Sequence, residues 1–323
     1  TPLDVELTAV QVLAAGKGRI VGRLDTAGVA ARLAVGANRG QMRAKLGAAQ
    51  YGILFLHVSF PDLASVPARL THRVRVVFAP RPKGMTMTGG ATAVSRTPPP
   101  VLGAPLRGKN YVAADSCCDT IRHVRALLPI DGAFRLAQRY AIDWEQMDDT
   151  GRVLVGDPKD VESYHIYGKD ALAVADGKVV AMLDGLPDQT PGALPKGLPI
   201  EQADGNHIVV DIGGGAFVLY AHLKPGSVRV KVGQTVRKGQ VVGQVGNSGN
   251  TSEPHLHLHV MDGPSPLGSN GIPYVYEQFR VTARNDAGTE DFDRAAAKGT
   301  PMSLTRVSPA TRHMKQLPLD LRI

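Results

Sequence analysis

Hydrophobic and polar residues alternate in short stretches along this chain, and glycine and proline separate the stretches. Val5-Glu6-Leu7-Thr8-Ala9-Val10, residues 53–58 and residues 74–78 have the two-residue period of strands that bury one face. The pattern returns at residues 206–212, 217–223 and 255–261, and a Val/Gly cadence fills residues 228–245. Residues 120–128 suit one short helix. The 36 glycines, 23 prolines and few aromatics favour strands joined by turns, so the expected class is mainly β. A chain of 323 residues exceeds one hydrophobic core, and two domains are expected.

Residues 1–82 read as a β-sandwich-like accessory domain. Residues 83–119, dense in Pro and Gly, read as a linker region, because neither residue supports regular pairing. Residues 120–284 hold a second, antiparallel β-sheet domain. Residues 285–323 read as an exposed loop followed by a returning strand at Leu317–Ile323.

Chemistry concentrates in the second domain. His255, His257 and His259 alternate with Leu256 and Leu258, which in a strand puts three imidazoles on one face. Neutral imidazole is a preferred zinc ligand. His222 ends the 217–223 strand, on the face that alternation shares with Val218 and Tyr220; Tyr220 reads better as a packed aromatic than as a catalytic group. His57 and His72 have no partners in sequence and read as structural.

Three spaced motifs carry a resemblance. They are Tyr220-Ala221-His222-Leu223, the Val230–Gly243 connector with its V-x-V-G-x-x-V-x-x-G-Q-x-x-G cadence, and Gly246-Asn247-Ser248-Gly249-Asn250-Thr251-Ser252-Glu253-Pro254-His255-Leu256-His257. In this order, with the Gly168–Val179 strand pair upstream, they resemble the lysostaphin-type zinc metallopeptidases that cut peptides of bacterial peptidoglycan. The resemblance implies an antiparallel peptidase domain and a zinc-activated water that hydrolyses peptide bonds. It implies His257 and Asp143 as zinc ligands, and His222 and His255 as catalytic histidines. His259 stands where the family usually has an acid.

The family's first ligand, a histidine four residues before the aspartate, is replaced here by Arg139, whose guanidinium stays protonated and cannot ligate. His123 and His165 lie outside the motif and are the candidates to supply it. Without a third ligand the domain would be catalytically defective, binding wall peptides or regulating another hydrolase. Residues 145–164 read as an inserted loop walling the groove. A lipoyl- or biotinyl-carrier hairpin is a distant alternative for residues 230–245, with Lys238 as its attachment point.

The net charge of +8 suits anionic cell-wall polymers, and no basic block interleaved with aromatics points to nucleic acid. No apolar run is long enough for an integral membrane segment, and Thr1 begins no recognisable signal peptide. A peptidoglycan substrate implies an extracytoplasmic location. The adjacent Cys117 and Cys118 read as two buried thiols in preference to a vicinal disulfide.

Overall fold

The computed structural model describes residues 3–16, 18–36, 38–42, 44–78, 80–118 and 122–323. The chain divides between Pro98 and Pro99 into two compact units. The fold is mainly β, with α-helices only at Thr26–Ala30 and Thr289–Lys298 among the described residues.

In the first unit, Ile20–Asp25, Val5–Ala14, Arg69–Phe78 and Arg81–Ala93 pair antiparallel in that order. A smaller sheet joins Leu33–Val35 to Asn38–Met42 and Gly52–Leu54. Val10, Val29 and Leu33 are buried in one cluster with Leu7, Leu24, Leu54 and Val74, so both sheets and the short helix share a core. The linker reading of residues 83–119 fails at its start. Residues 83–93 complete a strand, with Gly84 and Gly90 at positive φ near the shifts in its register. The prolines that break pairing are those at 98–100, where the units part.

The second unit is built on a seven-stranded sheet. Its strands are β1 (Tyr111–Ala114), β2 (Ile142–Gln146), β3 (Gly177–Leu183), β4 (Asn206–Asp211), β5 (Phe217–Leu223), β6 (Thr235–Val236) and β7 (Leu256–Met261), in the spatial order β1-β2-β7-β5-β4-β3-β6. Every pairing is antiparallel. Alternation sorts the central strands. Val218 and Tyr220 of β5 and Leu256, Leu258 and Val260 of β7 enter the main core with Ile208, Val210 and Val179. Leu219 and Ala221 of β5 and Met261 of β7 face the other side with Val209. Both faces of β7 are buried, so any polar group on it must find a partner inside the protein.

Other expectations are corrected. Residues 119–121 lie outside the described residues; residues 122–125 form turns and Leu128–Ile130 a strand, so the helix expected over 120–128 is not seen in what is described. Residues 285–299, read as a loop, contain the helix Thr289–Lys298. Its signals were present: Phe292, Ala295 and Ala296 share a buried face, Glu290 and Asp291 sit in the first turn, and Gly299 takes the left-handed C-terminal position at φ 61°. The returning strand is Thr305–Gln316, paired with Val275–Arg284, which also runs parallel to Val101–Leu102. Residues 317–323 follow it with single bridges, Leu319 to Cys117 and Arg322 to Ala113. Cys117 and Cys118 form a disulfide across a cis peptide bond and are not free thiols. Lys238 pairs with Glu277 at 2.5 Å and its chain packs on Gly103, unlike the free hairpin tip a carrier needs.

Candidate metal and catalytic site

Sheet register assembles the first part of the site. Asp143 on β2 lies directly opposite His257 on β7, which lies opposite Ala221 on β5. Side chains directly opposite on one face are near neighbours, and His257 Nδ1 is 2.7 Å from Asp143 Oδ1. His123 arrives from the turns at residues 122–125 and sets its Nε2 3.2 Å from Asp143 Oδ2. His255, just before β7, places Nε2 3.4 Å from Asp143 Oδ1.

His222 reaches the same place against the alternation of its strand. At φ 59° it adopts a left-handed backbone, rare for a residue with a side chain, and leaves the face of Val218 and Tyr220. Its ring centroid comes within 4.7 Å of that of His255 and 5.7 Å of that of His257. The conformation is held from outside β5. The His222 N–H donates to the Asp204 carbonyl at 3.0 Å, and its Nδ1–H donates to the Ser248 carbonyl at 2.8 Å. Gly205, at φ 60°, lets the chain pass where a Cβ would collide with the Ser248 backbone.

Three of the rings are fixed in the same tautomer. Carbonyl oxygens only accept, so Nδ1 is the protonated nitrogen in His123 against Asp115, in His222 against Ser248 and in His255 against Glu253, at 2.9, 2.8 and 2.8 Å. Nε2 of each is left for the site. Thr251 Oγ1, 3.3 Å from His255 Nδ1 and donating to the Glu253 carbonyl, braces the same loop.

Charge is distributed unevenly. Burial works against charge on His123, but Asp143 and Asp115 outweigh it and push its pKa up to about 9. Burial would raise Asp143, yet His123, His255 and His257 hold it well below the usual carboxylate range. His222 is held well below the ordinary histidine value by burial first and then by His255 and His257. Burial likewise lowers His257 against the pull of Asp143. At neutral pH the site therefore carries an ionised carboxylate and a neutral His222, while His123, raised by its two acids, must give up its Nε2 proton wherever that nitrogen ligates a metal.

The donor atoms fit a metal ion. His123, Asp143 and His257 offer ligand atoms that all lie within 4.8 Å of one another, as do His222, His255 and His257. Two imidazoles and a carboxylate are a donor set that borderline zinc takes in catalytic sites, with a further position left for water or substrate.

Residues 161–269 match the model of Peptidase family M23. The chain carries a peptidase family M23 domain. The Vibrio cholerae peptidoglycan DD-endopeptidase ShyA is 26% identical over 182 residues, covering 52% of this chain and 39% of the relative's length. Among solved structures, the catalytic domain of a mutant of the prophage-encoded M23 protein EnpA from Enterococcus faecalis matches 52% of this chain and 92% of its own, at 21% identity and a TM-score of 0.30. The catalytic domain of lysostaphin from Staphylococcus simulans matches 51% of this chain and 86% of its own, at 22% identity and a TM-score of 0.27.

The segment matched as M23 contains His222, His255 and His257, while His123 and Asp143 precede it. Of the two candidates for the missing histidine, only His123 joins the cluster. His165 stands apart, with Nε2 3.9 Å from Asp148 Oδ2, and belongs to neither group of donors. Arg139 is exposed, its guanidinium 5.4 Å from the centre of the Tyr140 ring. Tyr220 accepts from the Val174 N–H at 2.8 Å inside the main core of the M23 domain, a packing role.

The supposed loop over residues 145–164 starts later than expected, because Glu145 and Gln146 belong to β2. Glu145 shares the face of Asp143, is buried, and has an Oε2 without a partner; burial first, then Glu253 and Asp143, push its pKa well above the usual range. Asp115, Asp204 and Glu145 stand in no motif that would single them out. Ser248 and Thr251 were signalled only as motif positions, and their contacts explain why the motif needs them.

Proposed function

We propose that the M23 domain is a zinc-dependent endopeptidase that hydrolyses peptide bonds of bacterial peptidoglycan, acting outside the cytoplasm. The observation that carries the reading is His123, which sets Nε2 3.2 Å from the Asp143 carboxylate and makes up for the absence of a histidine at Arg139. His123, Asp143 and His257 would hold the metal, a three-ligand set with one position left open. Zinc there supplies Lewis acidity toward a scissile carbonyl and a lowered pKa for water at the open position.

The chain's own residues do the rest. The carbonyls of Asp115, Ser248 and Glu253 fix ring orientation before substrate arrives, so little reorganisation is left for the reaction. His222, neutral at Nε2, accepts a proton from the attacking water. That proton is the one the departing amine takes up, given by His222 directly or passed through the free Nε2 of His255, whose ring centroid is 4.7 Å away.

The substrate class follows from the likeness to a peptidoglycan DD-endopeptidase, and a net charge of +8 suits an anionic wall. No helix among the described residues is long and apolar enough to cross a membrane. The test is zinc content of the purified protein together with release of new amines from peptidoglycan. One equivalent of zinc and amine release, both lost in His257→Ala, are expected. Zinc without amine release would leave the non-enzymatic reading, a domain that binds wall peptides or regulates another hydrolase.

A further inference from the structure

His259 is fully buried and makes a single hydrogen bond. Its Nδ1 is 2.9 Å from His257 Nε2, the rings nearly perpendicular at 89°, and its own Nε2 has no partner. Its surroundings do not ask for a polar ring. Leu219 lies directly opposite on β5, and Ala221, Val209 and Met261 line the same face. An unpaired nitrogen there opposes folding, and an aliphatic side chain would remove that cost. A histidine kept only for the core would have both nitrogens satisfied. The one bond this ring makes goes to His257.

Proton accounting shows what the bond does. A neutral imidazole carries one proton, and a nitrogen that ligates a metal must present its lone pair. His257 meets Asp143 through Nδ1, so a metal held by this pair needs the His257 proton on Nε2. The acceptor within reach of that proton is Nδ1 of His259. The same place taken by a carboxylate would put a second ionised acid in an apolar pocket, whereas a neutral ring accepts without adding charge.

We infer that His259 is a positioning residue for the metal site: it accepts the Nε2 proton of His257 and so turns the Nδ1 lone pair of that ring toward the metal shared with Asp143 and His123. The inference rests on the reading of His257 as a zinc ligand. Outer-shell partners of ligating histidines orient the ring and strengthen it as a donor, and their loss typically weakens metal binding by about 10–100-fold.

The test compares the whole chain with His259→Leu and His259→Gln, measuring zinc affinity by competition with a chromogenic chelator and thermal unfolding of the metal-free proteins. His259→Leu should bind zinc roughly 10–100-fold more weakly while its metal-free form unfolds at the same or a higher temperature. His259→Gln, whose amide oxygen can accept the same proton, should stay within about threefold of the parent protein. Three results would overturn the inference while leaving the zinc reading intact: unchanged affinity in His259→Leu, a parallel fall in affinity and metal-free stability there, or no rescue by glutamine. A parent protein that takes up no zinc at all would overturn the proposed function, and this inference with it.

Discussion

Asp143 and His257 face each other across two paired strands, whereas His123 and His222 reach the same site from a turn and from a left-handed strand end. The strand-borne pair is held by the sheet: β7 is buried on both faces and its register to β2 leaves one arrangement for the two side chains. The rings of the other pair are each oriented by one hydrogen bond to a carbonyl, Asp115 for His123 and Ser248 for His222, with the His222 N–H held by the Asp204 carbonyl besides. One half of the site is therefore rigid by construction, and the other depends on its neighbours. Local opening is cheapest where buried contacts are fewest.

The strongest way to break the contrast is to remove one ligand from each half. On the proposed zinc reading, His257→Ala and His123→Ala should each abolish stoichiometric zinc and lower amine release on the order of 10³-fold or more, because each would take a ligand from a three-ligand set. Arg139→His should leave zinc affinity unchanged, since residue 139 is exposed and its side chain lies over the Tyr140 ring. Atomic absorption and an amine-release assay read both. A recovery of zinc in the double change His123→Ala with Arg139→His would show that the position before Asp143 can still reach the site.

Removing the metal tests the whole. An ion held at about a thousand times its dissociation constant contributes roughly 4 kcal/mol to the folded state. In a domain of this size that corresponds to a fall of roughly 8–16 °C in Tm on chelation. Hydrogen exchange should divide the halves: backbone amides at residues 122–125 should lose protection on chelation, while those of β7 should keep most of theirs.

The same division governs how much could be read from the sequence. The alternation at residues 255–261 and 217–223 gave the strands, and the spaced glycine motifs gave the antiparallel domain and His257, because periodicity and turn chemistry are local. Asp143 was legible from its place upstream of the Gly168–Val179 strand pair. His123 was named only alongside His165. Nothing local separates them: one is buried against Asp115, and the other points at Asp148 through contacts that the chain order does not express. His222 joins the cluster, but alternation puts it on the wrong face, because alternation cannot foresee a non-glycine residue at positive φ. The helix Thr289–Lys298 was missed although Phe292, Ala295 and Ala296 had helical spacing, its polar face having outweighed three apolar residues.

A smaller perturbation reaches the turn-borne half without touching a ligand. Gly205→Ala adds a Cβ against the Ser248 backbone at a residue with φ 60°, so the Ser248 carbonyl that orients His222 must shift. Strain of this kind costs about 1–3 kcal/mol, and kcat/KM should fall by roughly tenfold while zinc content is preserved. Circular dichroism melting and metal analysis on the same samples separate the two. Loss of zinc in this variant would mean that the two halves are not independent.

The smallest expected effect concerns the support behind His123. Asp320 accepts from the Ser116 N–H at 3.2 Å, and its own N–H donates to the Cys117 carbonyl at 3.2 Å, tying the C-terminal segment to the stretch that carries Asp115. Burial first, then Asp115, push the Asp320 pKa from 3.8 to about 6. The folded protein therefore binds more protons than the unfolded chain between those two values, and stability falls as pH rises through that window, levelling off above it. Its favourable contribution is complete below the unfolded value and gone above the folded one. Asp320→Asn keeps a carbonyl acceptor for Ser116 and removes the ionisation. Its Tm should match the parent near pH 4 and exceed it by a few degrees at pH 7, with zinc affinity unchanged. Equal pH slopes for the two proteins would show that Asp320 is ionised throughout, and that the turn carrying His123 is braced by a charge instead of a neutral acid.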